Sequence, residues 1–282
     1  MTGALGAQVQ APALFTEDEQ LANLALAEIR QAWLDYHLIV FRDLSLDAAA
    51  LARFCAQFGE LDIYPFMQAT PEHPNVIPVI KEAADTKNFG GAWHTDTSYL
   101  AQPPKATCLY ALEVPASGGD TLFANTAMAY DALSPGMQNI LDGLEGWYTP
   151  SLVHSDQGPY ADVRSDRPTE ASPSFASKDR LVDQRVRHPI VRRHPESGRQ
   201  SIYATPLHCE SFVEMTREET LPLLNYIYEF ATRDEFLTRL QWQVGTLAIW
   251  DNRSLFHNAL NDYQGQRREM YRVTLKGDTP QL

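Results

Sequence analysis

The stretch GGAWHTDTSYL, residues 90–100, decides how the rest of the chain is read. In an extended segment, residues two apart project to the same side. His94 and Asp96 then present an imidazole and a carboxylate to one point, with Thr95 turned away. A His-x-Asp pair alone is common in solvated turns. Its weight comes from a third donor far downstream, His257 in IWDNRSLFHNAL (249–260), and from the strand after it, which carries Arg268 and Arg272. Two histidines and one carboxylate on one face, with the other face open, are the donor set of non-haem Fe(II) sites.

Around this stretch the chain has 282 residues, 44% of them apolar and 10% aromatic, enough for a substantial core. No apolar run approaches the roughly 20 residues of a membrane helix. The start, MTGALGAQVQAPAL, lacks the basic and apolar blocks of a secretory signal. Cys55, Cys108 and Cys209 are odd in number and form no Cys-x-x-Cys; they read as reduced, mostly buried thiols of a cytoplasmic protein. The formal charge of −13 argues against nucleic acid or an anionic membrane as partner. It leaves a small anionic substrate open, because a local arginine outweighs a distant field that salt screens.

Upstream, residues 3–12 read as a short strand, Thr16 to Glu19 as a capping box opening a helix to about Trp33, and HLIVF (37–41) as a buried strand. A helix over 46–58 and a strand over 76–80 follow. KATCLYALEV (105–114) is apolar at both alternating sets of positions, the mark of a strand covered on both faces. SGGDTLFAN (117–125) reads as a Gly-Gly turn into a strand. Short helices fit 125–133 and 135–141, the second with Ser134 as cap and Pro135 at its first position. Residues 149–185, rich in Ser, Asp and Pro, have little periodicity and read as a lid insertion. RHPIVRRH and QSIYAT form a hairpin, and Thr216 to Glu219 is a second capping box for a helix to about Ala231. Strands over 237–242, 246–250, 255–259 and 268–276 close the chain. Many short strands and few helices, without regular alternation, give a mostly β single domain, a sandwich or barrel with flanking helices.

On the last strand Arg268, Met270 and Arg272 share a face, which sets the two arginine Cα atoms roughly 13 Å apart and suits two separate anions. Taken in order, WHTDTSY, the stretch from Pro103-Pro104 to Thr107, SGGDTLFANT, WDN-x4-H and RREMYRVTLKG resemble the taurine/2,4-dichlorophenoxyacetate dioxygenase family, over about residues 36 to 276. The resemblance implies a double-stranded β-helix (jelly-roll) core and an oxygenase using Fe(II), 2-oxoglutarate and O2. It implies His94, Asp96 and His257 as iron ligands, with the far carboxylate of 2-oxoglutarate on Arg268 and the Thr121 hydroxyl. Arg272 then meets the acidic group of a substrate or helps close the pocket, and Tyr64, Phe66 and Met67 line an apolar pocket. Trp93 and Trp250 are packing residues, and His208 a surface or hydrogen-bonded structural residue. His154, His188 and His194 carry no site role in this reading.

The implied chemistry is hydroxylation of a small anionic organic molecule, such as an aryloxyalkanoate or sulfonate, often with loss of a heteroatom group. Members acting on taurine resemble one another in a His after Phe-Gly-Glu-Leu and an Asn shortly before Trp-His. Here those places read FGELDIYPF and NFGGAWH, which points away from taurine. The segment YEFATRDEFLTRLQW resembles the branch that cleaves aryloxyalkanoates. The family commonly forms dimers or tetramers. Two other readings use the same residues: a zinc hydrolase on the same three ligands, and an inert jelly-roll binding protein.

Overall fold

The computed structural model describes residues 3–10, 19–64, 67, 69–154 and 184–282. The chain runs β1 (Ala7–Gln8), α1 (Glu19–Tyr36), β2 (Leu38–Phe41), α2 (Ala48–Ala56), β3 (Ile77–Lys81), β4 (Ala106–Glu113), β5 (Thr121–Asn125), α3 (Thr126–Asp131) and α4 (Pro135–Leu141). It continues through β6 (Glu145–Tyr148), α5 (Ser151–His154), β7 (Val186–Pro189), β8 (Val191–Arg193), β9 (Gln200–Ile202) and β10 (Cys209–Phe212). α6 (Arg217–Ala231), β11 (Leu237–Leu240), β12 (Leu247–Asp251), β13 (Leu255–Ala259) and β14 (Arg268–Leu275) close it.

The doubly apolar β4 lies inside a six-stranded sheet of order β1-β2-β12-β4-β14-β3. Its alternation sorts onto two cores. Ala106, Cys108 and Tyr110 meet Ile29, Trp33, Leu51 and Phe54 of α1 and α2, while Leu109 and Ala111 share a core with Trp242 and with Phe123, Leu240 and Leu255 of a second sheet. That sheet has the order β11-β5-β13. The same period of two divides β2 and β12: Ile39, Phe41, Leu247 and Ile249 go to the helices, and Leu38, Val40, Ala248 and Trp250 go inward. A third cluster joins α3, α6 and the β6, β9 and β10 strands through Tyr130, Tyr148, Ile202, Phe212 and Leu224.

Local signals explain most boundaries. Asp47 caps α2, its carboxylate accepting from Ala50 N at 2.7 Å, so the helix is shorter than 46–58. Ser134 caps α4 with Pro135 in the first turn, and Thr216 with Glu219 forms a complete capping box on α6. Gly118 and Gly119 both have positive φ, so the Gly-Gly turn into β5 needs residues without a Cβ. The strand expected over 3–12 contracts to two residues, Ala7 and Gln8, paired in parallel with Ile39 and Val40. The capping box at Thr16, the pocket residue Phe66 and most of the 149–185 insertion lie outside the described residues.

Candidate active site

The extended segment around His94 is short. His94 forms a single antiparallel bridge with His257, each backbone N–H donating to the other's carbonyl, at 3.1 and 2.8 Å. The chain then turns, with Thr97 at φ 42°. One bridged residue is enough, because it sets the two imidazoles side by side at a ring-centroid separation of 4.2 Å. Thr95 does turn away, its hydroxyl donating to Asn252 O at 2.6 Å.

His94 Nε2 and His257 Nε2 each lie 3.8 Å from Asp96 Oδ1, and the three ligand atoms fall within 4.8 Å of one another. Donors bonded to one ion at about 2.0–2.2 Å stand no more than about 4.4 Å apart, so a small contraction seats an ion. The protonation states agree. Burial lowers the pKa of His94 and brings His257 to about 3, so both rings are neutral at pH 7. His94 Nδ1 donates to Ala92 O at 2.6 Å, which leaves its Nε2 lone pair toward the cluster. Burial alone would raise Asp96, but Arg272, His257, His94 and the Thr107 hydroxyl together outweigh it and hold the carboxylate well below its usual range.

Asp96 is held from behind. Its Oδ2 accepts from the Thr107 hydroxyl at 2.5 Å and lies 3.0 Å from Arg272 Nη2, leaving Oδ1 toward the histidines. Thr107 in turn accepts from Asn252 Nδ2 at 3.0 Å, and Asn252 Oδ1 accepts from Trp250 Nε1 at 2.9 Å. The motifs around Pro103-Pro104 and Trp250-Asp251-Asn252 thus converge on one carboxylate. The sequence reading missed Thr107 and Asn252 as positioning residues; the signal was there, since both sit inside quoted motifs and Thr107 is a polar residue in an otherwise apolar strand.

The two arginines have different surroundings. Arg272 is buried between Asp96 and the ring of Tyr64, 4.5 Å from its centroid. Its Nη1 has no hydrogen-bond partner. Arg268 stands over Trp242 at 5.6 Å, and its Nε and Nη2 are buried without a partner. Burial lowers its pKa, with Tyr263 and Asp120 offsetting only part. Thr121 accepts from Trp242 Nε1 at 3.0 Å, so Thr121, Trp242 and Arg268 form one cradle. An uncompensated buried guanidinium beside a hydroxyl is a receptor for a carboxylate. The donor cluster and this cradle together fit an iron and a dicarboxylate cosubstrate.

A cavity of about 320 Å³, counting its mouth, opens on the cluster; it is lined by His94 and Asp96 and by Tyr64, Phe89, Leu207 and His208. Tyr64 lines this cavity, and Met67 packs, partly buried, against the core cluster that contains Tyr64. His208 is buried, hydrogen-bonded through Nδ1 to Ser98 Oγ at 2.8 Å, and also faces the cavity. Trp250 and Trp93 are packing residues, as expected. Among the described residues no helix is long and apolar enough to cross a membrane.

The model of the family described as "Taurine catabolism dioxygenase TauD, TfdA family" matches residues 1–274. The chain belongs to this family. It is 31% identical to the alpha-ketoglutarate-dependent sulfate ester dioxygenase of Pseudomonas putida, over 99% of this chain and 89% of that one. It is 28% identical to the alpha-ketoglutarate-dependent 2,4-dichlorophenoxyacetate dioxygenase of Cupriavidus pinatubonensis, over 92% and 91%. A solved taurine dioxygenase of Burkholderia xenovorans superposes with a TM-score of 0.78 at 32% identity, covering 99% of this chain and 90% of that one. As a TauD/TfdA member the chain is a dioxygenase of the oxidoreductase class whose cofactors are Fe(II), 2-oxoglutarate and O2.

Proposed function

We propose that the chain hydroxylates a small organic anion, a sulfate ester, sulfonate or aryloxyalkanoate, at a carbon next to the heteroatom, with loss of the heteroatom group. The observation that carries this reading is the meeting of His94, Asp96 and His257 with a cradle of unpaired buried cation only one strand face away. In it, His94, Asp96 and His257 hold Fe(II), and Arg268 with Thr121 takes the far carboxylate of 2-oxoglutarate. When bound, iron and 2-oxoglutarate supply the oxidising chemistry, consuming O2 and releasing succinate and CO2. The chain's own part is positional. Thr107 and Arg272 aim Asp96, and Ala92 O sets the His94 tautomer. The apolar wall of Tyr64, Phe89 and Leu207 seats the substrate body, and Arg272 Nη1 meets its acidic group.

The sulfate ester relative aligns over nearly the whole chain at the higher identity, which favours alkyl sulfates and sulfonates ahead of the aryloxyalkanoates suggested by YEFATRDEFLTRLQW. The core is read as a double-stranded β-helix, supported by two facing sheets and by the likeness to the solved dioxygenase. The chain is taken as one catalytic domain working in the cytoplasm as a homodimer or homotetramer, and light scattering tests the assembly. The activity test is succinate release with Fe(II), 2-oxoglutarate and O2 over a panel of alkyl sulfates, sulfonates, aryloxyalkanoates and amino acids. One of the first three classes is expected to stimulate release well above the substrate-free rate. Stimulation by amino acids alone, or none with any acid, would overturn the substrate class.

A further inference from the structure

The inward face of β14 has a counterpart on β3. In this antiparallel pair Arg272, Met270 and Arg268 stand opposite Ile77, Val79 and Lys81. Val79 and Met270 enter the same core between the sheets, so period two puts Lys81 on the inward side with Arg268. Lys81 is only 4% exposed. Its Nζ lies 4.4 Å from the centroid of the buried Tyr263 ring and has no hydrogen-bond partner. Tyr263 is also close enough to Arg268 to feel its charge. The acid near Arg268, Asp120, already accepts from Arg239 Nε at 2.6 Å.

Two buried cations thus stand at paired positions of one strand pair, with vacant donors on both. Like charges at paired positions destabilise a sheet, and a buried ammonium without an anion costs more than a ring face returns. Packing alone would be served better by a methionine or leucine at this place. The arrangement is relieved when a carboxylate lies between the two cations, and the Arg268 cradle is where the cosubstrate's distal carboxylate is read to sit.

We propose that Lys81 is a second cosubstrate-binding residue, its ammonium gripping the distal carboxylate of 2-oxoglutarate from the β3 side while Arg268 grips it from β14. This rests on the 2-oxoglutarate reading above. The guanidinium fork takes two lone pairs of the carboxylate and the ammonium takes a third, with the Tyr263 ring fixing the lysine stem. Lys81 then belongs to affinity and to discrimination against 2-oxo acids that lack the second carboxylate.

The test uses the full chain and its Lys81→Met and Lys81→Arg variants, titrated anaerobically by calorimetry in the presence of Mn(II). The two titrants are 2-oxoglutarate and 2-oxobutyrate, which has no distal carboxylate. Lys81→Met is expected to weaken 2-oxoglutarate about 10- to 100-fold and to leave 2-oxobutyrate unchanged. Lys81→Arg should recover most of the loss. The metal-free Lys81→Met protein should melt at or above the wild-type midpoint, since an unpaired buried charge is gone. Equal weakening of both oxo acids, a lowered midpoint, or unchanged 2-oxoglutarate affinity would each overturn the proposal alone. Failure of the wild-type chain to bind 2-oxoglutarate would overturn the cosubstrate reading and this proposal with it.

Discussion

In the proposed reading one guanidinium, Arg272, serves two partners, because it lies 3.0 Å from Asp96 and keeps Nη1 unpaired. Arg272→Ala is therefore expected to do two things at once. It leaves Asp96 Oδ2 with Thr107 alone, which should lower Fe(II) affinity by about tenfold, the lower end for loss of a ligand's outer partner. It also removes the anion contact for the substrate. At saturating iron, slow substrate-free succinate formation should survive while substrate stimulation falls. Arg268→Lys should do the reverse. A point charge cannot reproduce the fork, and loss of a buried charge-assisted pair costs about 2–4 kcal/mol, or roughly 30- to 1,000-fold in 2-oxoglutarate requirement. If Arg272→Ala abolishes the substrate-free turnover and Arg268→Lys spares it, the two roles are exchanged. At this scale the sequence showed which residues carry donors but not which way they turn. The His-x-Asp spacing named His94 and Asp96. That Asp96 is gripped by Thr107, and Thr107 by Asn252, depends on β4 and β12 being neighbours, which no local pattern states.

Elements were legible wherever a local rule and the tertiary pattern agree. β4 announced its burial on both faces, and α6 its start through Thr216 and Glu219. The box is complete in the structure: Thr216 Oγ1 accepts from Glu219 N at 3.2 Å and Glu219 Oε2 accepts from Thr216 N at 2.8 Å. Thr216→Ala should destabilise folding by about 1 kcal/mol in denaturant melts and leave Fe(II) and 2-oxoglutarate affinity untouched. A change in either affinity would mean that α6 is coupled to the site through Tyr64 and Tyr99 of the cluster it helps to build. Where local rules were silent, elements escaped. Glu145–Tyr148 and Cys209–Phe212 are four residues each, mixed in polarity, and become strands only by pairing with one another and with Val186–Pro189. The extended segment through His94 stays short for the complementary reason. The stretch has the alternation, but Thr97 turns left-handed, so only the bridge to His257 remains.

For the molecule as a whole, acid is the condition that the buried groups resist least. His37 ends α1 in a left-handed conformation at φ 61°, with its ring against the Ser254 hydroxyl at 2.9 Å. Burial lowers its pKa from 6.5 to about 4. A histidine depressed in the folded state binds its proton more readily when unfolded, so stability falls as pH drops from about 6.5 to about 4, by roughly 3 kcal/mol from this group at 1.36 kcal/mol per unit. A second loss begins lower. Asp251 is fully buried and accepts from His194 Nε2 at 3.0 Å and from Arg253 Nε and Nη2 at 2.8 and 2.7 Å. Burial opposes its ionisation, but Arg253 and His194 together outweigh burial and hold the carboxylate far below its usual range. Its stabilising effect is complete above the unfolded carboxylate value of about 3.9 and drains away as pH falls below it. Urea melts from pH 7.5 to 3 should therefore show a first decline through the histidine range and a steeper one below about pH 4. His37→Asn keeps a residue suited to the left-handed turn and removes the titration. It should flatten the decline between pH 6.5 and 4 while leaving the lower limb in place. An unchanged slope in that window would move the first transition to the other buried histidines, His94, His188 and His257, whose pKa values burial also lowers.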